Sequence, residues 1–169
     1  AWSNRSISIG NAYGGTGSLS NFSTAIGYRS KAGVDQSTGQ YATALGIEAI
    51  AIGHQSVALT DSYASGTDSF AAAIANNTSS YGATGANSVS IGRSSKATGS
   101  TSFAYGGWIN ATGTYAVGIG DSSTASGNYS YAIGSSNTAS HTASVVIGKG
   151  ASSSASDQIT LGHTNQSVR

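Results

Sequence analysis

Glycine returns every 14 residues through the second half of this chain. Gly92, Gly106, Gly120, Gly134, Gly148 and Gly162 each close a five-residue figure, beginning with Ser88-Val-Ser-Ile-Gly92 and ending with Gln158-Ile-Thr-Leu-Gly162. A period held this long means one small unit stacked on copies of itself. Within a unit, Val89 and Ile91 alternate with Ser88 and Ser90, which is the periodicity of a strand. Gly92 then permits a turn, a second short strand carries Ala97, and Gly99 turns the chain again. Two turns per unit bring the backbone over its own start, so each circuit stacks about 4.8 Å above the last. About eleven such circuits predict a rod on the order of 50 Å tall. Glycine at roughly every seventh position argues against helix throughout.

The first half is an irregular version of the second. Earlier copies read Ser6-Ile-Ser-Ile-Gly10, Ser23-Thr-Ala-Ile-Gly27 and Ala42-Thr-Ala-Leu-Gly46, with Gly27 and Gly46 following at spacings of 17 and 19 residues. The extra residues predict loop insertions near Tyr13–Leu19 and Val34–Gln40, with another near Asn77–Tyr81. Gly53 matches the second glycine of the unit, like Gly99, Gly113 and Gly127. The next copy is then Ser56-Val-Ala-Leu-Thr60, with Thr in the glycine place, and Ala71–Ala75 reads as a degenerate copy. We therefore expect one all-β domain over residues 1–169, irregular over 1–87 and regular over 88–169.

Composition narrows the function classes. With 24 Gly, no Pro, nine Tyr and a net charge of +1, the chain lacks the high charge and aromatic poverty of disorder. Absence of Pro suits uninterrupted hydrogen-bond ladders. Scattered Arg93, Lys96 and Lys149 make no nucleic-acid footprint. Zero Cys removes disulfides and thiolate metal sites. The chain opens on Ala1 rather than Met, as expected of a processed product or an excised piece.

Three columns decide which side faces in. Val89, Phe103, Val117, Tyr131, Val145 and Ile159 form one, and Ile91, Tyr105, Ile119, Ile133, Ile147 and Leu161 a second. Large apolar side chains are expected inside, facing Ala97, Ala111, Ala125 and Ala139 across a thin interior. The column between them stays small: Ser8, Ala25, Ala44, Ala58, Ser90, Ala104, Gly118, Ala132, Val146 and Thr160. Placed outward and free of charge, it is the expected surface for other copies of the chain, and Ala132→Glu is expected to dissociate them.

The figure Ser-x-Ala-Ile-Gly, followed by a small-residue strand and a second Gly, resembles the head repeat of the YadA-like trimeric autotransporter adhesins. The match covers essentially the whole chain, and Asp157–Arg169 looks like the last head circuit before the neck. The resemblance implies a left-handed parallel β-roll in each chain, assembled as a homotrimer. It implies display from the bacterial outer membrane on a stalk and barrel anchor, a role in virulence, and attachment to host extracellular matrix, cells or other surfaces. Similar repeats occur in phage tail fibres, which keeps that reading open.

No residue constellation points to catalysis, a cofactor or a metal. His54, His141 and His163 stand apart, and no His-x-x-x-His, paired carboxylate or Gly-x-Ser-x-Gly occurs. His141 falls in the column of the second turn glycine and reads as a turn residue. Gly14-Gly-Thr-Gly17 lacks a following Gly-Lys-Ser/Thr and reads as an inserted loop. Arg93, Asp121 and Lys149 share one column as spaced surface charges. Exposed aromatics are the better candidates for contact. Phe22, Tyr41, Tyr115 and Tyr129 recur just before the main strand; with Trp108 they either offer flat, low-entropy adhesive surface or shield strand ends and pack between chains. Thr98, Thr112, Ser126 and Ser140 run beside Lys96, Asn110, Thr124 and Thr138 as a polar ladder on the second strand. That ladder supports a rival ice-binding solenoid, weakened by Lys96 and by Ser in Thr places.

Overall fold

The computed structural model describes residues 5–10, 17–18, 20–34, 40–73 and 79–163. These form a two-sheet parallel β-solenoid, with no helix among the described residues. The first sheet has eleven strands, from Ile7–Ile9 to Ile159–Leu161, and the second has nine, from Gly17–Ser18 to Thr138–Ala139. The chain visits the two sheets alternately, and every strand pairs in parallel with the strand one circuit away. Register follows the repeat: Val89 pairs with Phe103, Phe103 with Val117, and Val117 with Tyr131.

Most of the irregular first half obeys the same register. Val57–Leu59 is a strand, and Thr60 takes the glycine place with φ of 29°. The degenerate copy is Ser69–Ala73 rather than Ala71–Ala75, because Phe70–Ala72 is the strand that pairs with Val89–Ile91. The alanine run there has no alternation to fix the register, which is why the sequence reading slips by two residues. Of the insertions expected near Tyr13–Leu19, Val34–Gln40 and Asn77–Tyr81, residues 13–16, 19, 35–39 and 77–78 lie outside the described residues. Gly17, read as part of a loop, begins a strand instead.

The expected inside and outside are reversed. Ala25, Ala44, Ala58, Ser90, Ala104, Ala132 and Val146 are completely buried within the single chain, and Gly118 is buried as well. Ser8 and Thr160, in the open end circuits, are half-buried. This small column, assigned above to contacts between copies, lines the interior of the roll. It faces Ala32, Ala51, Ala64, Ala97, Ala111, Ala125 and Ala139, also completely buried, as foreseen for the last four. The two large columns point outward. Alternation of period two was read correctly, but it leaves the choice of face open, and one wrong choice flips every side chain. Size settles it: a circuit closed in 14 residues leaves room between its walls for Ala and Ser, not for facing rows of Ile and Phe.

One departure tests that rule. Ile109 is completely buried at a place where neighbouring circuits have Ser95, Ser123 and Asn137. Its Cγ2 occupies the space that a Cβ on Gly118 would need. The large residue and the missing side chain are complementary.

The first turn needs its glycines twice over. Gly92, Gly106, Gly120 and Gly134 have φ between 113° and 127°, and a Cβ on each would overlap the carbonyl of the next glycine up. Both the backbone angle and the close approach exclude side chains.

Candidate assembly and adhesive surfaces

Outward alternation puts four residues of each circuit on the open side of the first sheet. In one circuit these are Asn87, Val89, Ile91 and Arg93; two circuits up they are Tyr115, Val117, Ile119 and Asp121. The two central columns are apolar along nearly the whole rod. Ile7 is 51% exposed, Ile9 57%, Tyr105 51%, Tyr131 41%, Ile147 40% and Ile159 69%. A contiguous apolar face of this length marks an interaction surface. It narrows to a hollow of about 550 Å³ beside Leu59 and Asp61, where Ala72 stands in the column of Leu59 and Ile91.

Each sheet edge carries a column of residues in the left-handed region. Beside the first sheet these include Phe22 (φ 59°), Tyr41 (60°), Tyr115 (57°) and Tyr129 (57°). Their amides donate to carbonyls of the circuit below, as Tyr115 N does to Ser100 O (2.9 Å) and Tyr129 N to Thr114 O (2.8 Å). The rings therefore inherit the strand spacing. Phe22 and Tyr41 stack at 5.1 Å between centroids, and Tyr115 and Tyr129 at 5.0 Å, in both cases nearly parallel. Arg5 lies over Phe22, and His54 meets the Tyr41 ring edge-on at 5.8 Å.

Trp108 belongs to the other turn, so it does not join the tyrosines in one patch. Its ring lies under the Arg93 guanidinium, 3.8 Å from the centroid. Gly107 pairs with Asp121 in the next circuit, and a Cβ on it would meet Asp121 Oδ1. On the same edge Arg29 Nη1 and Glu48 Oε1 form an ion pair at 2.5 Å. Tyr28 and Ile47 also project there, 44% and 59% exposed. They were missed in the sequence, although the alternation of Ile26 and Leu45 carried past the turn glycine would have found them.

The outer face of the second sheet bears the polar ladder as expected. Asn110, Thr124 and Thr138 are in register, with Thr112, Ser126 and Ser140 exposed beside them. At its upper end Ser140 N donates to Ser153 Oγ (3.1 Å), and His141 Nδ1 lies 3.0 Å from that oxygen. The Ser153 hydroxyl thus takes the ladder position that a carbonyl holds lower down, with His141 Nδ1 within hydrogen-bond distance of it. Ser153 N donates back to Thr138 O (3.0 Å), so the pair closes the end of the sheet. Among the described residues no group of three or more His, Asp or Glu could hold a metal ion.

The family model for the YadA head domain repeat matches residues 21–38, 37–59, 83–107, 111–135 and 125–151, more than half of the chain. The chain belongs to the YadA head family. No curated protein matches it. The YadA head is an adhesin domain of cell-surface autotransporters, and in this chain the head repeat coincides with the structural circuit: the matched segments contain the strands Val89–Ile91, Phe103–Gly107, Val117–Asp121 and Tyr131–Ser135. The YadA-type glycines are those of the stacked first turn, so the most regular part of the motif is structural.

Proposed function

We propose that this chain is the head of a trimeric autotransporter: three left-handed rolls packed through the apolar face of the first sheet and displayed from a bacterial outer membrane to attach it to matrix, cells or other surfaces. The observation that carries the assembly is the outward face of the first sheet, apolar along nearly its whole length, on a chain whose interior is almost entirely alanine and serine. Burying that face adds the large-residue contacts that the roll itself lacks.

Adhesion is assigned to the outer surfaces left free, with Tyr115, Tyr129 and Trp108 as candidate contacts. Three copies per head and many heads per cell convert weak contacts into firm attachment through effective concentration. Light scattering should give about three times the 16.6 kDa protomer mass. Val117→Asp with Ile133→Asp should reduce it to one, and retention of the full mass would overturn the assigned face. Tyr115→Ala with Tyr129→Ala should lower adhesion to matrix-coated surfaces at unchanged mass and melting; undiminished adhesion would move the site elsewhere. A thermal-hysteresis measurement tests the ice-binding alternative suggested by the second-sheet ladder.

A further inference from the structure

Two circuits of the apolar face differ from the others at their edges. In most circuits the central pair is flanked by at least one polar residue at an edge: Gln55 in one, Asn87 and Arg93 in another, and Asp121 and Ser135 opposite Tyr115 and Tyr129. In the circuit of Thr24–Ile26 the row reads Phe22, Thr24, Ile26, Tyr28, and in that of Thr43–Leu45 it reads Tyr41, Thr43, Leu45, Ile47. Here both edges are apolar and open, with Phe22 41%, Tyr28 44%, Tyr41 50% and Ile47 59% exposed. The two residues on each edge lie on adjacent circuits paired in register, Thr24 with Thr43 and Ile26 with Leu45.

A closed ring of copies relates neighbours by rotation without translation. When the rods run along the ring axis, each circuit therefore meets the same circuit of its neighbour, one copy's left edge against the next copy's right. Under that constraint the apolar edges of these two circuits find each other. We propose that Phe22 and Tyr41 of one copy pack against Tyr28 and Ile47 of the next, sealing the apolar interior of the assembly at these two circuits. The Phe22–Tyr41 stack, bracketed by Arg5 and His54, is the fixed half of the contact. The Arg29–Glu48 ion pair, on the same two circuits, borders the other half. Phe22 and Tyr41 are thereby assembly residues, whereas Tyr115 and Tyr129 face only Asp121 and Ser135 across the junction and keep open rings for a ligand. This inference rests on the ring assembly proposed above.

The chain has no cysteine, which makes cross-linking clean. Tyr41 and Ile47 of one copy lie at opposite edges of one circuit, six residues or about 20 Å of strand apart, beyond the ~7 Å limit for a disulfide. Oxidised Tyr41→Cys/Ile47→Cys in the full chain should therefore give covalent dimers and closed rings on a non-reducing gel, dissolved by reductant. Either single variant should give none, nor should Tyr41→Cys/Asp121→Cys, whose residues lie on the correct edges but on different circuits. In a separate variant, Ile47→Ser should weaken the assembly at least tenfold with an unchanged β-sheet spectrum. An oligomer of unchanged mass that fails to cross-link through residues 41 and 47, or that cross-links equally through 41 and 121, overturns the edge contact alone. A native chain that sediments as a monomer overturns the ring itself.

Discussion

Gly118 and Ile109 give the sharpest test of how the roll is packed. Adding one methyl in Gly118→Ala places a Cβ where Ile109 Cγ2 now sits, far inside the ~3.5 Å separation of touching carbons. Both residues are buried, and the neighbouring circuits press from above and below, so relief requires moving a packed side chain. Overpacking of this kind costs about 1–3 kcal/mol, and the lower backbone entropy of Ala returns about 0.5–1 kcal/mol. The net loss of about 1–2 kcal/mol corresponds to a Tm lower by roughly 2–8 °C for a chain of this size. Ile109→Ala alone removes the largest fully buried side chain and opens a cavity costing about 2–5 kcal/mol. The double variant puts the methyl added at position 118 into the space the isoleucine leaves, which is the arrangement of the adjoining circuits with Ala104 and Ala132. Its loss should fall short of the sum of the singles by about 1–3 kcal/mol, the range for residues in contact. Thermal unfolding followed by circular dichroism, at one fixed protomer concentration, measures all four corners of the cycle. Simple additivity would refute the claim that the glycine exists to admit the isoleucine.

Three further outcomes follow from the reversed interior. Ala132→Glu should lose the β-sheet spectrum outright rather than yield a folded monomer, because Ala132 is completely buried within its own chain and an unpaired charge there has no partner; a monodisperse folded monomer would contradict this. Ser90→Ala should raise stability by about 1 kcal/mol, since the Ser90 hydroxyl is buried without a partner between Ala71 and Ala104, and an unchanged or lower Tm would show that it is satisfied. Asn137→Ala should cost about 2–4 kcal/mol: Nδ2 donates to Ile133 O (2.7 Å) and Gly148 O (2.9 Å), and Oδ1 accepts from Ala151 N (3.1 Å). Amide exchange at Ala151 should rise with it, and continued protection there would argue that another group takes over.

Residue pattern alone determined the period, the parallel in-register strands, the turn glycines, the Ala97–Ala139 column and the outward polar ladder. These are local: an alternation and a spacing are visible in one strand, and stacking repeats them. Tertiary structure decided which face is inside. Hydrophobicity argued for burying Val89 and Ile91, but the space between two walls joined by tight turns favours small residues such as Ala104, Ser90 or Gly118, and that volume is a property of the closed circuit rather than of any residue in it. The same decision moved the proposed assembly surface from the small column to the large ones, and it separated Trp108 from Tyr115 and Tyr129 by assigning them to different turns. Phe22 and Tyr41 could be named from the sequence; their proposed pairing with Tyr28 and Ile47 could not, because it needs a circuit with two defined edges.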